Sequence, residues 1–249
     1  MDTAARRALA RALAARLQAR YGDALLLAGM VGSAVRGDDT PYSDLDMVVV
    51  ARDGAAIATR TFLFQGIPVS LRVITEPVLT AELHGPGLEW PYWMGVLEVL
   101  QPLAGDPAHV ARWQAMGLAQ DERSFRVMVE RLLPELVFEA YGRVRSCAAR
   151  GNERDAPALA LEVVYELKTA LCLLNRRWVT RDYYAGIEQS FGFPLIPEGY
   201  AELAPRLLDA RELATIVPLA GQLVASYWKL LAVLGATVQN YQKLDDVPV

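Results

Sequence analysis

Gly29-Met30-Val31-Gly32-Ser33-Ala34-Val35-Arg36-Gly37, followed by Ser43-Asp44-Leu45-Asp46-Met47-Val48-Val49-Val50, is the stretch on which the reading of this chain turns. An apolar run from Leu25 to Val31 ends at Gly32-Ser33, and a short polar loop carries Arg36 and Gly37. A second apolar run then opens on two aspartates. β-Branched runs bounded by Gly, Pro, Ser and Asp read as strands. Residues two apart on a strand share a face, so Asp44 and Asp46 aim their carboxylates together while Leu45 faces a core. Aspartate is depleted in strands and neighbouring like charges repel, so the pair needs something to offset it. A hard divalent cation such as Mg²⁺, held by one or two carboxylates plus the phosphates of a nucleotide, is the natural candidate. Gly32 lets backbone amides approach a phosphate, Ser33 and Ser43 add hydroxyls, and Arg36 offers a planar cationic fork. The plainer alternative is a tight turn at Gly32-Ser33 and two strand-entry aspartates in solvent. Neither G-x-x-x-x-G-K-[ST] nor G-x-G-x-x-G occurs.

Working outward, Asp2 to Tyr21 is an Ala-, Leu- and Arg-rich segment stopped by Gly22, as a helix would be. Met47 to Ala51 and Ile67 to Ile74 continue the strand pattern. After Asp121 the pattern turns helical, with long Ala-, Leu- and Val-rich segments near 122–150, 156–177 and 210–235. These shifts predict an α+β N-terminal domain over 1–119 and an all-helical domain over 120–249. Pro102 to Pro107 reads as a connection near the boundary, and Lys243 to Val249 as a frayed tail.

The 249 residues are 53% apolar, enough for a sizeable core and against a disordered chain. With 25 Lys+Arg against 29 Asp+Glu the net charge is -4, which argues against a nucleic-acid partner held by its phosphates. Two cysteines and two histidines exclude a disulfide framework and nearly exclude a Cys- or His-based metal site. Arginines interrupt the N-terminal alanines, so no signal peptide is expected, and no apolar run reads as a membrane span. A soluble, cytoplasmic protein is the resulting expectation.

The Gly32-Ser33, Arg36 and Ser43-Asp44-Leu45-Asp46 elements resemble the signature of the nucleotidyltransferase superfamily typified by DNA polymerase beta. Within it, the chain is most similar to the kanamycin (aminoglycoside) nucleotidyltransferase group. The likeness begins at Tyr21-Gly22-Asp23 and returns at Glu89-Trp90-Pro91 and at Phe138-Glu139 with Gly142-Arg143 and Arg145. The resemblance implies a mixed β-sheet with flanking helices, then a helical bundle, paired into a homodimer. It also implies Mg²⁺-dependent transfer of a nucleoside monophosphate, from ATP, to a hydroxyl of a small acceptor such as an aminoglycoside, with release of pyrophosphate. Asp44 and Asp46 then take the metal-ligand and catalytic positions, and Gly32, Ser33, Arg36 and Ser43 the triphosphate-binding ones. Glu139 takes the general-base position, and Arg143 stands where the group has a lysine near the phosphates. Glu89 and Glu135 are candidates for a pocket that binds a cationic acceptor.

The segment around Glu139 can also be read without the family. On a 100° wheel Leu132, Leu133, Leu136, Val137, Ala140 and Val144 form an apolar stripe, with Glu139 and Arg143 at its edge. A half-buried carboxylate there can have its pKa raised toward a useful base, whereas an ordinary i,i+4 surface pair is the alternative. Phe138 projects oppositely, toward another helix or a partner subunit. One departure matters: Ser70 or Arg72 stands where the superfamily often carries a third acid. Two further readings therefore stay open, a transferase acting on a protein or nucleic-acid end, and a nucleotide-binding protein with weak or no catalysis. Elsewhere, Trp90, Tyr92 and Trp93 read as core or interface, His84 as a helix-end residue, and Cys147 and Cys172 as buried fillers. Lys168, Arg176, Arg177 and Arg181 read as solvated charges, and Tyr183-Tyr184 and Tyr227-Trp228 as helix-packing residues.

Overall fold

The computed structural model describes residues 1–236 and 238–248, and the chain divides into two compact units, Met1–Gln120 and Asp121–Val249. In the first unit, α1 (Thr3–Tyr21) is capped by Asp2, whose carboxylate accepts from the Ala5 amide. It leads into β1 (Leu25–Val31), a four-residue helix α2 (Ser33–Arg36), and β2 (Leu45–Ala51). β3 (Arg60–Phe64) and β4 (Ile67–Thr75) form a hairpin, followed by α3 (Glu76–His84), α4 (Glu89–Val99), β5 (Gln101–Gly105) and α5 (Ala108–Leu118). The five strands make one mixed sheet in the order β3-β4-β2-β1-β5, with β2 and β4 parallel and the other neighbours antiparallel.

Alternation assigns the two faces. Leu45, Met47 and Val49 of β2 join Val69 and Leu71 of β4 and Ala28 and Met30 of β1 in a cluster under Ala10 and Ala14 of α1. The alternate positions Asp46, Val48 and Val50 therefore face the other way. Register places Asp46 between Val31 of β1 and Ser70 of β4, and puts Val48 between Gly29 and Arg72 one row further on. Asp46 thus stands at the edge of the sheet where β1 ends and β2 begins.

The second unit is helical: α6 (Glu122–Leu133), a π-helical turn (Pro134–Phe138), α7 (Glu139–Ala149), α8 (Ala156–Asn175), α9 (Tyr183–Ser190), α10 (Tyr200–Asp209) and α11 (Leu213–Val233). Its buried spine includes Phe125, Val129, Leu133, Val144, Val163, Val164, Leu167, Leu171, Ile216 and Leu223. The mixed sheet with flanking helices and the helical C-terminal region are as the resemblance implied.

Several expectations are corrected. Gln101–Gly105 is not a connection but strand β5, antiparallel to β1. The helix expected across 122–150 is broken, because Pro134 has no amide proton to donate to Glu130 and the backbone widens into a π turn. Lys168 is not solvated: it is 8% exposed, with Nζ 3.7 Å from the Tyr165 ring centroid, and burial pushes its pKa down. Tyr183 and Tyr184 are exposed rather than packed, whereas Tyr227 is buried and Trp228 stands edge-on to Phe138 at 4.9 Å. α11 is long and apolar enough to span a bilayer by length and composition, contrary to expectation, yet Ile216, Ala220, Leu223 and Tyr227 along it are buried within the unit. The expected tail ends at Val249, which lies outside the described residues.

Candidate functional site

The bend after β1 is built to leave space. Gly32 adopts φ 80° and ψ -157°, a region closed to side-chain-bearing residues. A Cβ added there would point at Asp46, 3.4 Å from Oδ2, so the absent side chain leaves a gap between the bend and the carboxylate. Ser33 begins α2, and its carbonyl accepts from the Gly37 amide at 2.8 Å, closing the turn on Gly37 in the left-handed region. Arg36 pairs with Asp38 through Nε at 3.3 Å and keeps 23% of its side chain exposed.

Two arginines of α1 hold this region. Arg7 donates to the Ala34 carbonyl from Nε at 3.1 Å and from Nη2 at 2.9 Å, tying down the C-terminal end of α2. Arg6 is fully buried, forms an ion pair with the equally buried Asp39, and donates from Nη2 to the carbonyls of Thr40 at 3.0 Å and Ser43 at 2.8 Å. Thr3 Oγ1 adds a 2.8 Å bond to Asp39. The loop that delivers Asp44 and Asp46 is therefore clamped from beneath. Composition alone hid this: in an Ala- and Leu-rich helix an arginine pair reads as two solvated charges.

The predicted residues fall into two groups. Gly32, Ser33, Arg36, Ser43, Asp44 and Asp46 are gathered at the sheet edge, but not all in the expected roles. Strand β2 starts at Leu45, so Asp44 precedes it and is exposed, while Asp46 is half-buried within it. Asp44 is therefore not held by the β ladder as the two-residue spacing implied. The Ser43 hydroxyl accepts from the Thr40 amide at 2.9 Å and so already serves the loop.

On the same face as Asp46, Arg72 lies over the rings of Tyr92 and Trp93, at 4.4 and 4.9 Å from their centroids. Its Nη2 is 3.6 Å from Oε2 of Glu89, which opens α4. Burial raises the Tyr92 pKa; Arg72 opposes this, while Asp46 and Glu89 add to it. Tyr92 thus feels the charge of Asp46, Arg72 and Glu89 together, and its hydroxyl stays protonated at neutral pH. Arg72 is therefore held by aromatic rings and Glu89. Trp90 and Trp93 are core, as expected, whereas Tyr92 is only partly covered, with 41% of it exposed.

Glu135, Glu139 and Arg143 belong to the second unit. The π turn carries Glu135 and leads into Glu139, whose side chain is half-buried at the edge of the apolar stripe. Arg143 bonds Glu139 through Nη2 at 2.5 Å and also pairs with Glu162 of α8. The hydrogen bond that Arg143 donates to Glu139, reinforced by the charge of Glu162, raises the Arg143 pKa further above its ordinary value. Burial and the charge of Glu162 raise that of Glu166, with Glu135 a smaller contributor. The α8 acids were not expected, although Glu162 and Glu166 stand one helical turn apart. Glu139, Arg143, Ser146 and Arg150 line a groove of about 490 Å³. Phe138 packs on α11 within its own unit.

Among the described residues no group of three or more acids, histidines or cysteines is placed to hold a metal ion. Asp44 and Asp46 with the Gly32 gap still fit a magnesium–nucleotide pair, because Mg²⁺ takes one or two carboxylates and completes its shell with phosphate and water.

No protein-family model matches the chain. A solved structure of a nucleotidyltransferase-like protein from Exiguobacterium sibiricum superposes with a TM-score of 0.53 over 92% of this chain and 76% of that one, at 16% identity. The fold is a nucleotidyltransferase fold. In sequence the chain is similar to two proteins named aminoglycoside nucleotidyltransferase (4'), from Staphylococcus aureus and a Bacillus species. Each is 23% identical over 148 residues, which is 59% of this chain and 58% of the relative. The chain thus aligns with little more than half the length of these relatives. Resemblance to the nucleotidyltransferase superfamily holds in both sequence and fold.

Proposed function

We propose that this chain is a nucleotidyltransferase that moves a nucleoside monophosphate from a nucleoside triphosphate, ATP, to a hydroxyl of a small acceptor and releases pyrophosphate. The observation that carries the proposal is the gap between Gly32 and Asp46 at the sheet edge, with Asp44 beside it. Asp46 and Asp44 would hold Mg²⁺, which when bound neutralises phosphate charge and lowers the barrier to attack at the α-phosphorus. The Gly32-Ser33 bend receives the triphosphate without a side chain in the way, and Arg36 supplies positive charge. Arg6 and Arg7 keep the two loops in place. Displacement at phosphorus proceeds in line, so the pyrophosphate leaves on the Gly32 side and the acceptor hydroxyl enters from the opposite one.

Glu139 as general base and Arg143 as a phosphate contact enter this proposal on the family resemblance. Their own geometry shows a half-exposed, tightly bonded pair. Pairing of two copies belongs to the same proposal on the same ground, and a cytoplasmic setting is carried over from the sequence reading. The relatives' names place aminoglycosides among the acceptors to try.

Incubation with each nucleoside triphosphate, Mg²⁺ and a panel of hydroxylated acceptors tests the proposal, with pyrophosphate release and product mass as readouts. Transfer is expected for the wild type and lost in Asp46→Asn. Full activity in that variant would remove the site from the account. Glu139→Gln should slow transfer and leave ATP affinity nearly unchanged; an unaltered rate would reject Glu139 as base.

A further inference from the structure

We infer that Arg72, shelved on Tyr92 and Trp93 beside Asp46, is the acceptor-reading residue, and that the acceptor it selects is a hydroxyl compound bearing a phosphate or carboxylate. This rests on the transferase reading for which side the acceptor enters, and on the geometry of the sheet for the rest. In the strand order β4-β2-β1, Asp46 has the Gly32 bend on its β1 flank and Ser70 and Arg72 on its β4 flank. With the leaving pyrophosphate at Gly32-Ser33, in-line geometry brings the acceptor over β4, where Arg72 waits.

The chemistry of that flank is cationic and aromatic. Ser70, in register with Asp46, contributes no charge, so the formal charge of β4 next to the site is the guanidinium of Arg72. Two ring faces fix its plane, at 4.4 and 4.9 Å, so little rotamer freedom remains to be lost on binding. About half of the side chain, 46%, stays in solvent within reach of a ligand, beside its contacts with Glu89 and the Tyr92 hydroxyl. Its contact with Glu89 is long, 3.6 Å, between two groups that are both roughly half exposed. Such a pair contributes at most about 1 kcal/mol, and a bidentate oxyanion is a stronger partner for a guanidinium. Glu89 therefore acts as an internal stand-in for the acceptor's anionic group. An anionic group that displaces Glu89 gains the guanidinium, whereas a polycation gains only the acids around it, Asp46 and Glu89.

Calorimetry on the full chain, loaded with Mg²⁺ and a non-hydrolysable ATP analogue, tests the assignment. The probes are glucose 6-phosphate and gluconate as phosphate and carboxylate arms, glucose as the uncharged control, and kanamycin as the polycation. The wild type should bind at least one anionic probe and prefer it to both glucose and kanamycin. Arg72→Gln should weaken that binding by about tenfold or more, the loss of a charge-assisted pair. Glu89→Gln should strengthen it, because the competing carboxylate is gone; a merely structural role for the Arg72–Glu89 pair would weaken binding in both variants. Preference for kanamycin, equal binding of glucose, or indifference to Arg72→Gln overturns the inference. Asp46→Asn keeps the two readings apart: anionic binding retained with transfer lost supports both. Anionic binding by a wild type that transfers to neither anionic probe leaves Arg72 an anion contact but overturns its role in reading the acceptor, while the transferase reading is judged by transfer to the wider acceptor panel.

Discussion

Replacing Asp39 by Asn leaves the shape of the clamp under the site intact and removes only its charge. Arg6 is 0% and Asp39 1% exposed, so the guanidinium would remain in the interior with carbonyls but without a counter-ion. Breaking a buried ion pair from one side costs about 3–5 kcal/mol. With a urea slope of about 2 kcal/mol/M, the unfolding midpoint of the first unit falls by roughly 1.5–2.5 M. Tryptophan fluorescence reports the transition, since Trp90, Trp93 and Trp113 are buried in that unit. Peptide-level hydrogen exchange over 1–46 confirms that the change lies there. Arg6→Met should cost a similar amount, because it strands Asp39 and frees the carbonyls of Thr40 and Ser43. The double variant Arg6→Met with Asp39→Leu should regain most of the stability, as apolar replacements of buried pairs do. It should still bind Mg-ATP more weakly, because no group then ties the 38–43 loop to α1. Midpoints unchanged in both single variants would refute the reasoning, as would a double variant no better than its parents.

Gly32→Ala forces a side chain into a Gly-only backbone region and toward Asp46; the unit should lose about 1–3 kcal/mol by denaturant unfolding, and nucleotide affinity should fall further than stability alone explains. Glu166→Gln should stabilise the second unit at neutral pH, measured by thermal unfolding against pH. The sign follows from the raised pKa: the native state holds this proton more tightly, so stability present below pH 4.5 is lost as pH rises through the native pKa, and Gln removes that loss. The advantage should vanish in acid. Arg7→Gln should loosen the Ala34 turn, raising the KM for ATP more than it lowers kcat, by steady-state kinetics.

What was legible in the sequence was what alternation and a single obligatory glycine can encode. β1 and β2 alternate or bury throughout, and Gly32 sits where only glycine fits, so the bend and Asp46 could be located from spacing. β3 could not, because as an edge strand its pattern is mostly exposed and Leu63 is 71% exposed. β5 contains Pro102 and ends at Gly105, residues that mark turns elsewhere, and only pairing with β1 makes it a strand. A wheel drawn through Pro134 assumed 3.6 residues per turn and so missed the π turn, although Glu139 just after it stays half-buried at the stripe's edge. α9 is short and weakly periodic, and α10, though strongly amphipathic, is only 10 residues long and holds Pro205, which reads as a helix breaker. Buried charges left no mark: Lys168, read as solvated, lies against the Tyr165 ring, and Arg6 is buried by partners distant in sequence, which no local pattern announces.

The central claim is that Asp44 and Asp46 grip a magnesium–nucleotide pair against the Gly32 bend. Calorimetric titration of ATP into the wild type, with and without Mg²⁺, and into Asp46→Asn addresses it without needing any acceptor. Binding that requires Mg²⁺ in the wild type and is lost or metal-independent in the variant is the predicted result. Equal affinity with and without the ion, or an unchanged magnesium dependence in Asp46→Asn, would contradict it.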